Sequence, residues 1–155
     1  MKRNERIQRF SREHHFCLLF CWKVRQGVRK DVAPERIWRY VKYFWNEHLQ
    51  PHFKNEEKIL FAPVGDTHVG RAIREHDQIR RFISDLDSQP ASIGRKKLSE
   101  LATMIDAHVR YEERSLFPHL ERKLTNQQLE KIGELIRKIS PVISQDQYSD
   151  QFWNN

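Results

Sequence analysis

Apolar residues along this chain recur at alternating spacings of three and four, the period of a helix that buries one face. The first stripe carries Ile7, Phe10, His14, Cys17, Cys21, Val24 and Val28 and predicts a helix over about residues 5–28, closed by Gly27 and Arg29-Lys30-Asp31. Pro34 suits the first turn of a second helix, where its missing N–H costs nothing. That helix reads Ile37, Val41, Phe44, His48, His52, Glu56 and Ile59 on one face and ends at Pro63 and Gly65. Pro51 inside it removes a backbone hydrogen bond and predicts a kink close to His52. A third helix spans roughly 67–88, with Ile73, His76, Ile79, Ile83 and Leu86 inward, and Gln89-Pro90 and Gly94 mark the next turn. The fourth, about 95–122, carries Leu98, Leu101, Ile105, His108, Glu112 and Leu116. Thr125 with Gln128 three residues on matches a capping box, opening a short fifth helix through Ile139 that Ser140-Pro141 stops. These elements predict an all-α fold, an antiparallel up-down four-helix bundle with a short C-terminal extra helix. Residues 1–140 make up that domain. Residues 141–155 are expected to be a polar tail that packs loosely or stays disordered.

The polar interruptions of these stripes are not scattered. His52-Phe53-Lys54-Asn55-Glu56-Glu57-Lys58-Ile59-Leu60-Phe61 returns as His108-Val109-Arg110-Tyr111-Glu112-Glu113-Arg114-Ser115-Leu116-Phe117, and Arg12-Glu13-His14 returns as Arg74-Glu75-His76. Internal repetition points to two helix pairs, each with one His on its first helix and His-x-x-x-Glu on its second. Residues four apart share a helix face, so His52/Glu56 and His108/Glu112 each present an imidazole and a carboxylate to one partner. His14 and His76 add an imidazole from each remaining helix. Buried carboxylates need a counter-charge. Two irons bridged by Glu56 and Glu112, with His14, His52, His76 and His108 as terminal ligands, would supply it. Carboxylate and imidazole donors suit iron, manganese or zinc.

Several neighbours compete for roles. His48 lies one turn before His52 on the same stripe and is either a fifth histidine ligand or a group behind one. His15 competes with His14, and both the repeat and the stripe favour His14. Glu57, Glu113, Glu13 and Glu75 flank the ligand positions, where solvated or supporting roles fit better than metal contact. His68 and His119 read as surface residues, and Trp38, Phe44 and Trp45 as bundle packing, with Phe44 also placed to line a ligand pocket.

Composition narrows the function classes. The chain has 155 residues, 32% charged and 38% hydrophobic, and no stretch approaches the roughly 20 apolar residues needed to span a bilayer. The N-terminal Met1-Lys2-Arg3-Asn4-Glu5 leads into no apolar signal core, which makes a cytoplasmic location the expectation. Formal charge is +7, but the basic residues are spread along the chain and form no clustered nucleic-acid footprint. Nothing in the sequence names a protein partner. Cys17 and Cys21, four apart on the first stripe, read as buried free thiols.

These motifs resemble the hemerythrin-like family of HHE cation-binding domains over about residues 5–122. The carrying residues are Arg12-Glu13-His14-His15, His52-Phe53 with Glu56-Glu57 and Leu60-Phe61, Arg74-Glu75-His76-Asp77, and His108 with Glu112-Glu113 and Leu116-Phe117-Pro118. The resemblance implies a bundle with a non-haem di-iron centre, ligated by His14, His52, Glu56, His76, His108 and Glu112. Family members bind O2, sense iron, handle NO or peroxide, or repair iron–sulfur centres. Ala72 and Arg80 stand one turn either side of His76, where the oxygen carriers have a second histidine. Where the carriers' fourth helix uses an aspartate five after its histidine, this chain has Glu112 four after His108. The four-His, two-Glu pattern is nearer the repair-type and iron-sensing members. It implies reaction with a small diatomic ligand or peroxide at an open position rather than reversible oxygen storage. The other readings are a metal- or gas-sensing regulator and a zinc or manganese bundle without redox chemistry.

Overall fold

A computed structural model of the chain describes residues 2–139, 141 and 147–154. Among the described residues there are five helices and no strand. Helix α1 is Gln8–Arg29. It ends as a helix does when its last carbonyls are captured: Asp31 adopts φ 55° and the Val32 N–H reaches back to the Gly27 carbonyl. Helix α2 covers residues 34–61 as Pro34–Phe44, a π-turn Trp45–Leu49, Gln50–Asn55 and a second π-turn Glu56–Phe61. Helix α3 is Thr67–Ser88, capped by the Asp66 side chain. A short 3₁₀ turn, Pro90–Ser92, leads into α4, residues 95–123, which has its own π-turn at Glu112–Leu116. Helix α5, Asn126–Arg137, opens with the expected capping box of Thr125 and Gln128.

The π-turns answer the prolines. Each stands directly ahead of one: Pro51, Pro63 and Pro118. A proline ring in a helix collides with the carbonyl four residues back. Bonds from Gln50 N–H to the Trp45 carbonyl, and from Phe117 N–H to the Glu112 carbonyl, span five residues and widen the turn at that point. The disturbance expected at Pro51 therefore takes the form of a wider turn in a continuous helix.

Two apolar clusters lie on either side of a polar layer. One gathers Phe20, Val24, Val41, Phe44, Phe53, Ile79, Ile83, Leu101 and Ile105 with their neighbours. The other gathers Ile7, Phe10, Leu60, Phe61, Ala72, Leu116, Phe117, Leu120, Leu129 and Ile132. Helices α1 and α3 pass from the second cluster to the first, and α2 and α4 pass from the first to the second. On each helix the His and Glu positions fall at the crossing. Helix α5 covers the second cluster with Leu129 and Ile132.

Three expectations need correction. Ile73, predicted inward, is 36% exposed, and its neighbour Ala72 is buried instead. The buried positions of α3 are Val69, Ala72, His76, Ile79, Ile83 and Leu86, and Ile73 lies one residue, about 100°, round from that stripe. His119 is buried rather than a surface residue. The C-terminal segment does not pack loosely where it is described. Phe152 and Trp153 are buried; a Cβ on Gly27 would meet Phe152 at 2.7 Å. Tyr40 packs against both rings, Lys23 sits 4.2 Å over the Trp153 ring, and Arg36 pairs with Asp150. Residues 142–146 and 155 of the expected tail, and residue 140 of the expected helix stop, lie outside the described residues.

Candidate metal centre

Six polar side chains meet in the layer between the two apolar clusters. His14 comes from α1, His52 and Glu56 from α2, His76 from α3, and His108 and Glu112 from α4, and each is at most 2% exposed. Ligand atoms of His14, His52, Glu56 and Glu112 all lie within 4.8 Å of one another, as do those of Glu56, His76, His108 and Glu112. The two carboxylates belong to both groups. The Nε2 atoms face them: His14 is 3.0 Å from Glu112 and 3.4 Å from Glu56, and His52 is 3.1 Å from Glu56. His76 is 3.2 Å from Glu56, and His108 is 3.2 Å from Glu112.

The opposite nitrogens are held by a second set of carboxylates. Glu113 lies 2.7 Å from His14 Nδ1, Glu13 lies 2.9 Å from His52 Nδ1, Glu57 lies 2.6 Å from His76 Nδ1, and Glu75 lies 2.8 Å from His108 Nδ1. The order is cyclic: α1 holds the histidine of α2, α2 that of α3, α3 that of α4, and α4 that of α1. A carboxylate only accepts, so each Nδ1 carries the proton and each Nε2 of a neutral ring offers its lone pair to the centre. Each of these outer carboxylates also has an arginine: Arg3 on Glu113, Arg9 on Glu13, Arg80 on Glu57 and Arg71 on Glu75. An arginine thus flanks every outer carboxylate, with Arg3 shared with Glu121 and Arg80 with Asp77. The charges of Glu56 and Glu112 are left for the centre. Ring faces close the layer, with Phe117 stacked on His14 at 5.0 Å and Phe53 on His76 at 3.9 Å.

Burial alone would push the four imidazoles down, but the facing carboxylates outweigh it. His14 and His76 are held well above their ordinary value, His108 is raised, and His52 is raised to about 9. For Glu56, burial and the nearby Glu112 would raise the carboxyl, but His52 and His14 bring it down to about 2. Glu112 is held well below the carboxylate range, its burial outweighed by His108, His14 and His76.

The donor set fits a cation. Nε2 of His52, His76 and His108, both oxygens of Glu56 and Oε2 of Glu112 are buried and make no hydrogen bond. They are close to one another but not aligned as donor and acceptor. Orphaned buried polar atoms are rare and costly, and a cation among these would satisfy all six at once. The two His/Glu groups fit a metal site.

The two remaining histidine candidates stand elsewhere. His15 is exposed and meets only the edge of Phe16 among the ring contacts; it is in neither four-residue group. His48 is half-buried between Tyr43 and Phe44 and is also outside both groups. It lines a cavity of about 530 Å³ whose wall includes His52, Glu13, Cys17, Phe16 and Phe44, so that cavity opens from one flank of the centre. The cyclic pairing of the outer carboxylates was missed by sequence reasoning, although a signal was present. A glutamate adjoins a ligand position on every one of the four helices.

A sequence model of the Hemerythrin HHE cation binding domain matches residues 5–120 of this chain. No curated protein and no solved structure matches it.

Proposed function

The chain belongs to the hemerythrin HHE cation-binding family, and from that premise we propose that it is a non-haem di-iron protein that reacts with or senses O2, NO or peroxide. His14 and His52 would hold one ion and His76 and His108 the other, with Glu56 and Glu112 shared between them. The observation that carries this reading is the set of six buried donor atoms that face one another and make no hydrogen bond. An antiparallel up-down bundle of α1–α4 belongs to the same reading, supported by the alternating order in which the helices cross the two apolar clusters.

When bound, the metal pair would supply Lewis acidity and one-electron redox capacity to a small ligand. The chain's own residues do the rest. Glu13, Glu57, Glu75 and Glu113 fix the tautomer and ring angle of each histidine. Phe53 and Phe117 cover imidazole faces and keep water from the layer. A diatomic molecule or peroxide would approach through the cavity beside His52. The reading places the protein in the cytoplasm.

A regulatory reading has its own support. Every inner histidine is held by a carboxylate of a neighbouring helix. Metal occupancy therefore bears on all four interhelical contacts at once, as a metal or gas sensor requires. Marked unfolding of the metal-free protein would favour the sensor, and turnover of peroxide or NO by the reduced form would favour an enzyme.

Metal analysis of protein expressed with iron, with optical spectra taken without oxygen and then in air, tests the proposal. Two irons per chain, one for each His/Glu group, and new charge-transfer absorption on exposure to air are expected. Glu56→Ala combined with Glu112→Ala should remove both ions. Retention of two metals by that double variant would sink the ligand assignment. Redox-silent zinc or manganese would leave the bundle and remove the oxygen chemistry.

A further inference from the structure

Away from the centre, the loop before α3 and the last segment of α4 bring together a second set of donors. Asp66 precedes α3, His68 lies in its first turn, and His119 lies seven residues beyond Glu112 on α4, roughly 10 Å along the axis at 1.5 Å per residue. One donor atom from each lies within 4.8 Å of the others. The Asp66 carboxylate works in two directions. Its Oδ1 accepts from the backbone N–H of His68 and Val69, while its Oδ2 lies 2.6 Å from His119 Nε2. The imidazoles of His68 and His119 stack with ring centres 3.9 Å apart. The backbone beneath is clamped, because the Tyr111 hydroxyl donates to the His68 carbonyl at 2.8 Å and so ties α4 to the start of α3.

We infer that Asp66, His68 and His119 bind a single divalent cation of the zinc type, separately from the central layer. One carboxylate and two imidazoles are borderline N/O donors, and three protein ligands with water in the fourth position is a recurrent zinc arrangement. Donor atoms around tetrahedral zinc are about 3.4 Å apart, given bonds near 2.0–2.1 Å. The Asp66–His119 pair at 2.6 Å must open, and donors as far as 4.8 Å apart must close toward about 3.4 Å. His68 supplies that movement: its side chain is exposed, and turning it unstacks its ring from that of His119. The cation takes the place of the hydrogen between His119 Nε2 and Asp66 Oδ2, and the His119 ring then carries its proton on Nδ1. The positive end of α3 opposes a cation with about half a charge. The full charge of Asp66 outweighs it.

Zinc uptake by the metal-free full chain, compared with His68→Ala, tests the site. His68 is exposed and packs into no core, so the variant keeps its fold. The unsubstituted protein should bind one zinc more than His68→Ala, whatever number the central layer takes up. Asp66→Asn retains the helix cap but not the charge, and should weaken that extra zinc by at least tenfold. Cobalt in place of zinc should give the unsubstituted protein four-coordinate visible absorption beyond whatever His68→Ala shows. Equal zinc uptake by the unsubstituted protein and His68→Ala would overturn the proposal. Failure of the central site would instead remove zinc from both proteins alike and leave the difference of one.

Discussion

At the scale of single residues, the four inner histidines work through both ring nitrogens. The outer carboxylate on Nδ1 raises the basicity of Nε2 and holds the ring in place. Glu113→Gln keeps an acceptor for His14 Nδ1 but loses the charge that Arg3 balances. Metal affinity should fall by about 10–100-fold with the fold intact, measured by competition against a chelator. Unchanged affinity would mean that Glu113 does not act through His14. The inner groups also set a pH profile for the metal-free protein. The His52 imidazole titrates near 9 against an ordinary 6.5, so its contribution is fully present below 6.5 and is lost as pH rises to 9. Glu56 titrates near 2 against 4.5, so its contribution is present above 4.5 and is lost as pH falls to 2. Metal-free protein should therefore have its highest Tm between pH 4.5 and 6.5. Metal-loaded protein should keep its Tm above pH 6.5, because ligation uses neutral imidazole. A level metal-free Tm from pH 6.5 to 9 would contradict this account of the layer.

Among the elements, agreement between sequence and structure follows the range of the interaction. Helix boundaries and the Thr125 cap depend on neighbours within a turn: the bounds of α3 and the cap match expectation, while α1 starts at Gln8 and α5 ends at Arg137, inside their expected spans. Thr125→Ala leaves the Gln128 N–H without its acceptor and should destabilise the protein by about 1 kcal/mol in urea unfolding. The π-turns were not legible as such. Proline announces that a helix must deform, but a kink and a wider turn both relieve the same clash, and packing of the flanking turns selects between them. Two of these turns begin at Glu56 and Glu112, the paired positions of the internal repeat.

The whole molecule is two apolar clusters separated by a charged layer, with its ends tied down by chain that the stripes did not predict. Phe152 fills the space above Gly27 and packs on Tyr40. Phe152→Ala should cost about 3–5 kcal/mol in chemical denaturation, the usual range for a buried Phe truncated to Ala. A loss below about 0.5 kcal/mol, the scale of an ordinary surface change, would mean that the segment is not anchored in solution. Metal should act on the same global equilibrium. An ion present at a thousand times its Kd stabilises by about 4 kcal/mol, so chelation should lower Tm in a single cooperative step.

The sequence by itself determined the helical class, the internal repeat and the six polar positions His14, His52, Glu56, His76, His108 and Glu112 that share the buried layer. Helical period and spacings of four are local properties, and a polar residue at the same position in every stripe marks one shared layer. Tertiary structure alone decided which outer carboxylate serves which histidine, because that depends on which helix lies beside which. It decided the burial of Phe152 and Trp153, since their cavity is built by Gly27, Ile37 and Tyr40 far away in the chain. It also brought Asp66, His68 and His119 together from the start of α3 and the end of α4, with Asp66 and His119 53 residues apart. Pairings between residues distant in sequence leave no periodic trace, and only the packed helices reveal them.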